Sequence, residues 1–382
     1  DKLPAGAHAF DDLLARARPA DPIDTHGDEP AFWLYSSGST GAPKGTVHSQ
    51  ANLYWTCELY GKAVLGMRED DVVLSAAKLF FAYGLGNALS FPLSVGATVV
   101  LMAERPTPQA CFKRMTEHRP TIFCGAPTGY GGMLASADLP AKEAVALRLC
   151  SSAGEALPQD IGERWTRHFG VEIIDGIGST EMLHIFLSNV PGEVHYGSTG
   201  HPVPGYEVEL RGEDGQALAP NADGSIDIGD LYIKGPSAAL MYWNNRDKSR
   251  DTFQGGWTKA GDKYQRNPNG TYTYAGRNDD MLKVSGIYVS PFEVEATLVQ
   301  HPAVLEAAVI GHTDGEGLTK TKAYVVLKPG QQAGAADLQA FVKERLAPYK
   351  YPRFIEFLDE LPKTATGKIQ RFRLRERDQA GG

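Results

Sequence analysis

Cysteine is scarce and scattered in this 382-residue chain. Cys57, Cys111, Cys124 and Cys150 form no C-x-x-C pair, which argues against a disulfide framework or a zinc site and favours a reducing, cytoplasmic setting. Basic charge is in short supply as well. The formal net charge is −8 and the only dense basic run, Lys368 to Arg377, lies at the C-terminus, so nucleic acid is not an expected partner. No charged n-region and apolar h-region open the sequence, so no secretory signal is read there. One uncharged stretch, Leu79 to Ala103, is long enough to span a bilayer, but Gly84, Gly86, Asn87, Pro92 and Gly96 break it and no membrane partner is expected. No internal repeat is visible.

What the chain has is size and apolar content: 42% hydrophobic residues over a length that suits two domains. A short helical pattern around Phe10 to Ala17 precedes a strand at Phe32-Trp-Leu-Tyr35, expected to be buried. Beyond it, Val72 to Ala76, Ala97 to Met102, Thr121 to Cys124, Ala146 to Cys150 and Val171 to Ile174 read as strands, the second of them buried. Gln109 to Glu117 and Gln159 to Phe169 read as helices between them, a pattern that predicts a mostly parallel, layered α/β domain. After Gly197 short strands and Gly/Asn/Asp turns predict an antiparallel or barrel-like subdomain. A further small α+β pattern follows Gly276-Arg277, with a capped helix at Ser290-Pro-Phe-Glu293, strands at Leu305 to Ile310 and Ala323 to Leu327, and a helix from about Ala336 to Leu346. The expected fold is thus a large layered α/β domain with a β-barrel-like subdomain over residues 1–277, and a small α+β domain over 278–382.

The densest chemical signal is Tyr35-Ser-Ser-Gly-Ser-Thr-Gly-Ala-Pro-Lys-Gly45. Glycines leave backbone N–H groups free to wrap an anion, the hydroxyls of Ser36, Ser37, Ser39 and Thr40 add donors, and Lys44 adds positive charge; Gly38 and Gly41 permit tight turns. A flexible linker would have polar flanks, whereas this loop sits between a strand and a helical pattern at Asn52-Leu-Tyr-Trp. It is not a Walker A loop, because Pro43 precedes and Gly45 follows the lysine. A second glycine-rich turn, Asp175-Gly-Ile-Gly-Ser-Thr-Glu181, follows an apolar strand, the place where open α/β sheets bind ligands. The pair Trp257-Thr-Lys-Ala-Gly-Asp262 and Tyr274-Ala-Gly-Arg277 offers a carboxylate suited to two ribose hydroxyls and a guanidinium suited to ribose or phosphate oxygen.

These motifs, with Leu361-Pro-Lys-Thr-Ala-Thr-Gly-Lys368 near the C-terminus, occur in the order found in the adenylate-forming superfamily of acyl- and aryl-CoA synthetases, luciferases and peptide-synthetase adenylation domains, and the chain resembles that family over residues 31 to 375. The resemblance implies ATP, Mg2+ and coenzyme A as cofactor and substrates. It assigns Thr180 to the ATP phosphates, Glu181 to Mg2+, Asp175, Gly176 and the Gly154-Glu155-Ala156 segment to the nucleotide, and Asp262 with Arg277 to the ribose. For Gly154 to Ala156, helix capping by Ser or Glu is the alternative. Ala260 stands where the family has threonine. The resemblance also implies that the small α+β domain over 278–382 is a mobile lid with Asp279 as its hinge, that Ser285 and Gly286 line the path of the pantetheine arm, and that Lys368 reaches the carboxylate and α-phosphate as the catalytic lysine.

The segment Lys78 to Asn87 is similar to that of benzoate-CoA ligases within the superfamily, which implies an aromatic slot made by Phe81, Ala82, Tyr83, Gly84, Gly178, His184 and Ile185. Ordinary core packing of the phenylalanines and a satisfied interior histidine are the alternatives. The reaction implied is activation of benzoate or a close analogue as acyl-AMP with release of pyrophosphate, then thioester formation, in aromatic degradation. A homodimer is compatible with it. Adenylation for a carrier protein and a non-catalytic nucleotide-binding fragment are the other readings, the last because only about thirty residues precede the phosphate loop where the family carries a further α/β segment; if the protein lacked that segment, sheet edges and apolar faces would be expected to be exposed.

Overall fold

The computed structural model describes residues 3–4, 6–37, 43–278, 280–284, 287–315, 318–363 and 369–380. Two strands, β1 (Pro30–Ser37) and β2 (Pro43–Ser49), open the ordered body as an antiparallel hairpin that pairs Ser37 with Pro43. The centre is a seven-stranded sheet of β3 (Val72–Ser75), β4 (Thr98–Val100), β5 (Ile122–Gly125), β6 (Leu149–Ser152), β7 (Ile173–Gly178), β8 (Ile185–Ser188) and β9 (His201–Pro202). Its order is β4-β3-β5-β6-β7-β8-β9. The pairs from β4 through β7 are parallel and the last two antiparallel.

Helices Pro108–His118, Pro127–Leu134 and Gln159–Phe169 cover one face of this sheet around Phe112, Tyr130, Trp165 and Phe169. The last of them shows the local logic. Ile161, Trp165 and Phe169 recur at four-residue spacing and are buried, while acidic and basic side chains occupy the other side. Gly162 on the same helix has no room for a Cβ because the Tyr196 ring fills it, and Gly170 ends the helix at φ 70°, a left-handed position. Losing a ring such as Trp165 from this core would cost about 3–5 kcal/mol. The other face packs Tyr60, Phe91, Ile174 and Phe186 into a core shared with the antiparallel sheet that follows.

That sheet contains β10 (Glu207–Arg211) and β11 (Ile226–Lys234). The short β12 (Met241–Tyr242) leaves it to pair with β2, and β13 (Phe253–Gln254), β14 (Trp257–Arg266) and β15 (Tyr272–Arg277) return to it. This is the antiparallel subdomain that the turn-rich texture predicts. The C-terminal part has its own cores: the hairpin β16 (Leu282–Val284) and β17 (Ile287–Val289), helix Pro291–Val299, and the sheet β18 (Val304–Thr313), β19 (Thr319–Leu327) and β20 (Phe354–Phe357), backed by helices Ala335–Lys343 and Arg371–Ala380. Ser290 caps the first of these helices by accepting from Glu293 N, with Pro291 at its first turn, as its sequence predicts.

Two expectations are corrected. The Phe32 to Tyr35 strand is not buried: Trp33 and Tyr35 are exposed, because β1 is the edge of a three-stranded sheet with one open face. Ala97 to Met102 gives only a three-residue strand, β4, at the edge of the large sheet, with Leu101 exposed. Both runs are apolar, but an edge strand has a neighbour on one side only. No helix among the described residues is long and apolar enough to cross a membrane.

Candidate active site

The site is assembled where three chain segments are stapled together. On β2, Lys44 follows the phosphate-loop segment; Gly38, Ser39, Thr40 and Gly41 lie outside the described residues, as does the Ser37 side chain. Ser36 Oγ is buried and has no hydrogen-bond partner among the described residues, a donor left over for a ligand. The second segment is the turn from Ser179 to Ile185. Ser179 Oγ accepts from Met182 N at 3.1 Å, and Leu183 N donates to the Thr180 carbonyl at 3.2 Å. Leu183 itself sits at φ 64°, a left-handed conformation that costs a leucine about 1–2 kcal/mol.

The third segment, Ser237 to Trp243, straps the other two. Leu240 N and Trp243 N donate to the Val47 and Gly45 carbonyls of β2, at 2.8 and 2.7 Å. Ala239 N donates to the Glu181 carbonyl and Ser237 Oγ to the Met182 carbonyl. From the β2 side, His48 Nε2 donates to the Thr180 carbonyl at 2.8 Å while Asn52 Nδ2 donates to its Nδ1. Burial holds His48 down at about 4, so the ring stays neutral and keeps this one-donor, one-acceptor bridge.

Inside that frame Lys44 and Glu181 lie 3.8 Å apart, each about one-sixth exposed, with the Tyr242 hydroxyl between them. Burial lowers the lysine's pKa, Glu181 partly offsets it, and the charges of Lys248 and Arg277 lower it further. Among the described residues no group of three His, Cys, Asp or Glu could cage a metal. One half-sheltered carboxylate fits instead the mode in which Mg2+ is held by a single protein carboxylate and the oxygens of a bound polyphosphate.

Asp175, at the end of β7, is buried, and its Oδ2 accepts from Leu157 N at 3.4 Å while Oδ1 has no partner among the described residues. Burial pushes it up to about 8, with Leu157 N pulling the other way. The same bond sets Asp175 beside the Gly154-Glu155-Ala156 segment, where Gly154 takes φ 98° and Glu155 accepts from Thr128 Oγ1. A Cβ at Gly176 would lie 2.8 Å from Ile185 Cγ2, and one at Gly178 2.6 Å from the His184 carbonyl oxygen, so the room they leave is taken up by β8 and its turn. Asp262 on β14 faces Arg277 on β15, and the arginine donates to the buried carboxylate at 3.2 Å.

Three aromatic rings gather around His184. Tyr83 stacks on it at 5.6 Å between centroids, Tyr60 tilts against it at 5.1 Å and Phe91 meets it edge-on at 4.5 Å. Burial holds His184 down at about 3, and neither ring nitrogen has a hydrogen-bond partner among the described residues. Ile185 pairs with Gly178, and Gly84 has no room for a Cβ because the Lys78 carbonyl occupies it. Phe81 and Ala82 lead into this segment half-buried; the Phe81 ring packs on exposed Phe80. Tyr60, Phe91, Ser151 and Tyr242 are absent from the sequence-derived site. Ser151 accepts the Tyr83 hydroxyl at 3.0 Å and lies 3.4 Å from that of Tyr60.

Asp279, Ser285, Gly286 and Lys368 lie outside the described residues. Their neighbours are well held. Asn278 N donates to the Gly261 carbonyl, Asp280 accepts from Arg375 at 2.8 Å, and Lys363 bridges to Ile369 on either side of residues 364–368.

Comparison with known proteins gives this arrangement a context. The model of the AMP-binding enzyme family matches residues 2–243, and that of the AMP-binding enzyme C-terminal domain matches residues 293–368. A benzoate–CoA ligase of Thauera aromatica is 61% identical over 375 residues, 97% of this chain and 70% of that protein. A crystal structure of a benzoate CoA ligase from Burkholderia xenovorans LB400 superposes with a TM-score of 0.90 at 64% identity, covering 96% of this chain and 73% of that one. An anthranilate CoA ligase, AuaEII, solved with anthranoyl-AMP, superposes with a TM-score of 0.93 at 44% identity over all of this chain and 73% of that one. The chain shares the fold of these ligases along nearly its whole length and belongs to the AMP-binding enzyme family.

Proposed function

We propose that this chain is an ATP-dependent aryl-acid CoA ligase that activates benzoate or a close ring analogue. The observation that carries the reading is that Glu181, which faces Lys44, and His184, which stacks on Tyr83, stand on one turn, so that the carboxylate assigned to Mg2+ and the ring assigned to the acid pocket are set by a single piece of backbone. Relatives named for benzoate and for anthranilate fit a flat, ring-sized acid.

The carboxylate oxygen of the acid attacks the α-phosphorus of ATP, the bond to the β-phosphate bridging oxygen breaks, and pyrophosphate leaves with acyl-AMP formed. No protein nucleophile is needed, so the residues act by placement and charge. Lys44 and the loop from Ser36 to Gly41 would cradle the phosphates, with Thr180 beside them. Asp262 and Arg277 would hold the ribose, and Asp175 with the Gly154 to Ala156 segment would line the base. Mg2+, held by Glu181 and phosphate oxygens, would supply charge neutralisation on the departing pyrophosphate. Lys368 would neutralise the attacking carboxylate.

In the second step the CoA sulfur attacks the acyl carbon, its proton goes to solvent, and AMP leaves. Residues 278–382 would act as a lid on residues 1–277, turning at Asp279 so that Lys368 withdraws and Ser285 and Gly286 line the thiol's path. Four buried cysteines, all unpaired, suit a cytoplasmic setting. The test is release of pyrophosphate from ATP on adding benzoate, followed by benzoyl-CoA on adding CoA. No benzoate-dependent pyrophosphate would overturn the reading; pyrophosphate without benzoyl-CoA would redirect it to a carrier-bound thiol.

A further inference from the structure

We propose that Tyr242 is a positioning residue for acid activation, whose phenol fixes the Glu181 carboxylate and holds it apart from Lys44. The proposal rests on the reading above, in which Glu181 meets Mg2+ and Lys44 meets phosphate. The Tyr242 hydroxyl donates to Glu181 Oε1 at 2.6 Å and accepts from Lys44 Nζ at 3.2 Å. Directly, lysine and glutamate are 3.8 Å apart, longer than the roughly 2.7–2.9 Å of a contact ion pair.

Opposite charges this close in a half-buried site would otherwise close on each other. A closed pair would spend the carboxylate on the ammonium and leave neither for a metal–nucleotide complex. The phenol prevents this by occupying Oε1 with its proton and taking one lysine hydrogen on its oxygen, so that neither charged group is spent on the other.

The hydroxyl is held in place by its surroundings. Tyr242 is buried, its ring packs on Phe253 at 5.3 Å and lies under Lys44 Nζ at 4.5 Å, and its backbone N–H donates to Ser249 Oγ at 3.0 Å. The strand that carries it pairs with β2 opposite Thr46, two residues beyond Lys44. Its position is thereby tied to both segments that it links.

The test compares Tyr242→Phe, which removes only the hydroxyl, with Phe253→Leu, which disturbs the packing of the ring and leaves the hydroxyl. Binding of Mn2+ in the presence of ATP is read from the loss of the free-ion electron paramagnetic resonance signal. The Mg2+ half-saturation for pyrophosphate release and the KM for benzoate are measured alongside. Tyr242→Phe is expected to weaken Mn2+ binding by about tenfold or more, as loss of an outer-shell partner does, and to raise the Mg2+ requirement with benzoate KM unchanged. Phe253→Leu is expected to weaken Mn2+ binding less than Tyr242→Phe does, because Lys44, Ser249 and the pairing with β2 still hold the tyrosine. Unchanged Mn2+ binding in Tyr242→Phe, or an equal loss in both variants, overturns the proposal. A parent chain that binds Mn2+ with ATP yet releases no pyrophosphate with benzoate overturns the aryl-acid reading alone, since the binding arm uses no acid.

Discussion

Across the β14–β15 ladder Arg277 Nη1 donates to Asp262 Oδ1 at 3.2 Å, and the two partners live in different surroundings: the aspartate side chain is 10% exposed, the arginine 46%. A ribose would therefore meet a carboxylate already oriented from one side by the arginine. Asp262→Asn keeps the shape and removes the charge. It should raise KM for ATP roughly 30-fold, the equivalent of about 2 kcal/mol for a hydrogen bond to a charged group, with the KM for benzoate unchanged. An equal rise in both constants would assign Asp262 to the fold.

Lys368→Ala should abolish formation of the acyl adenylate and spare thioester formation from supplied benzoyl-AMP, because the proposed lid withdraws this lysine before the thiol attacks. The half-reactions are assayed separately. Equal loss in both would show that Lys368 serves the fold.

Asp279 lies between Arg277 and Asp280, whose carboxylate is gripped by Arg375 on the last helix. Proline at position 279 fixes φ near −65° and should hinder rotation of the lid. Adenylation should survive in Asp279→Pro while CoA transfer falls by orders of magnitude. An unimpaired overall rate would remove Asp279 from the hinge.

Tyr83, proposed as a wall of the aromatic slot, stacks on His184 and donates to Ser151. Tyr83→Ala should weaken benzoate by roughly 1–3 kcal/mol in kcat/KM and relax selectivity toward bulkier acids. Comparing benzoate, a para-substituted benzoate and octanoate decides it; a parent chain that prefers octanoate would refute the aryl assignment.

Asp175 carries a pH signature. Its folded pKa is raised from 3.8 to about 8, so the folded state holds a proton that the unfolded state has released between those values. The stability this gives is present in full below pH 3.8 and is lost as pH rises through about 8. Asp175→Asn stays neutral throughout, so its melting temperature should gain on that of the parent chain between pH 5 and pH 8. Parallel curves would show that the aspartate is ionised in the fold.

Much of this architecture is legible in the sequence where local pattern decides. Ile161, Trp165 and Phe169 at four-residue spacing give the helix bounds directly, and Ser290-Pro291 with Glu293 gives the next cap. The apolar runs at Phe32 and Ala97 mislead because alternation cannot tell an edge strand from a central one. The contiguous motifs are legible too, and the structure brings Lys44 of one to Glu181 of another and Asp262 to Arg277. Tyr242 is not: it meets Lys44 across 198 positions and Glu181 across 61, and its local setting, an aromatic pair after a Gly-Pro turn, looks like any strand end. Tyr60 and Ser151 escape for the same reason, since their value lies in what comes to rest beside His184.

The turn that holds Leu183 at φ 64° acts as a ruler. Glu181 and His184 are graduations on one strained, hydrogen-bonded piece of backbone, so the interval between the proposed ring slot and the proposed phosphate site would be set by chain geometry. On that reading an acid whose carboxyl is joined directly to the ring would suit the interval. One additional carbon, as in phenylacetate, would leave the ring seated and carry the carboxylate past the phosphorus. Such an acid should occupy the slot and inhibit, yet be activated poorly.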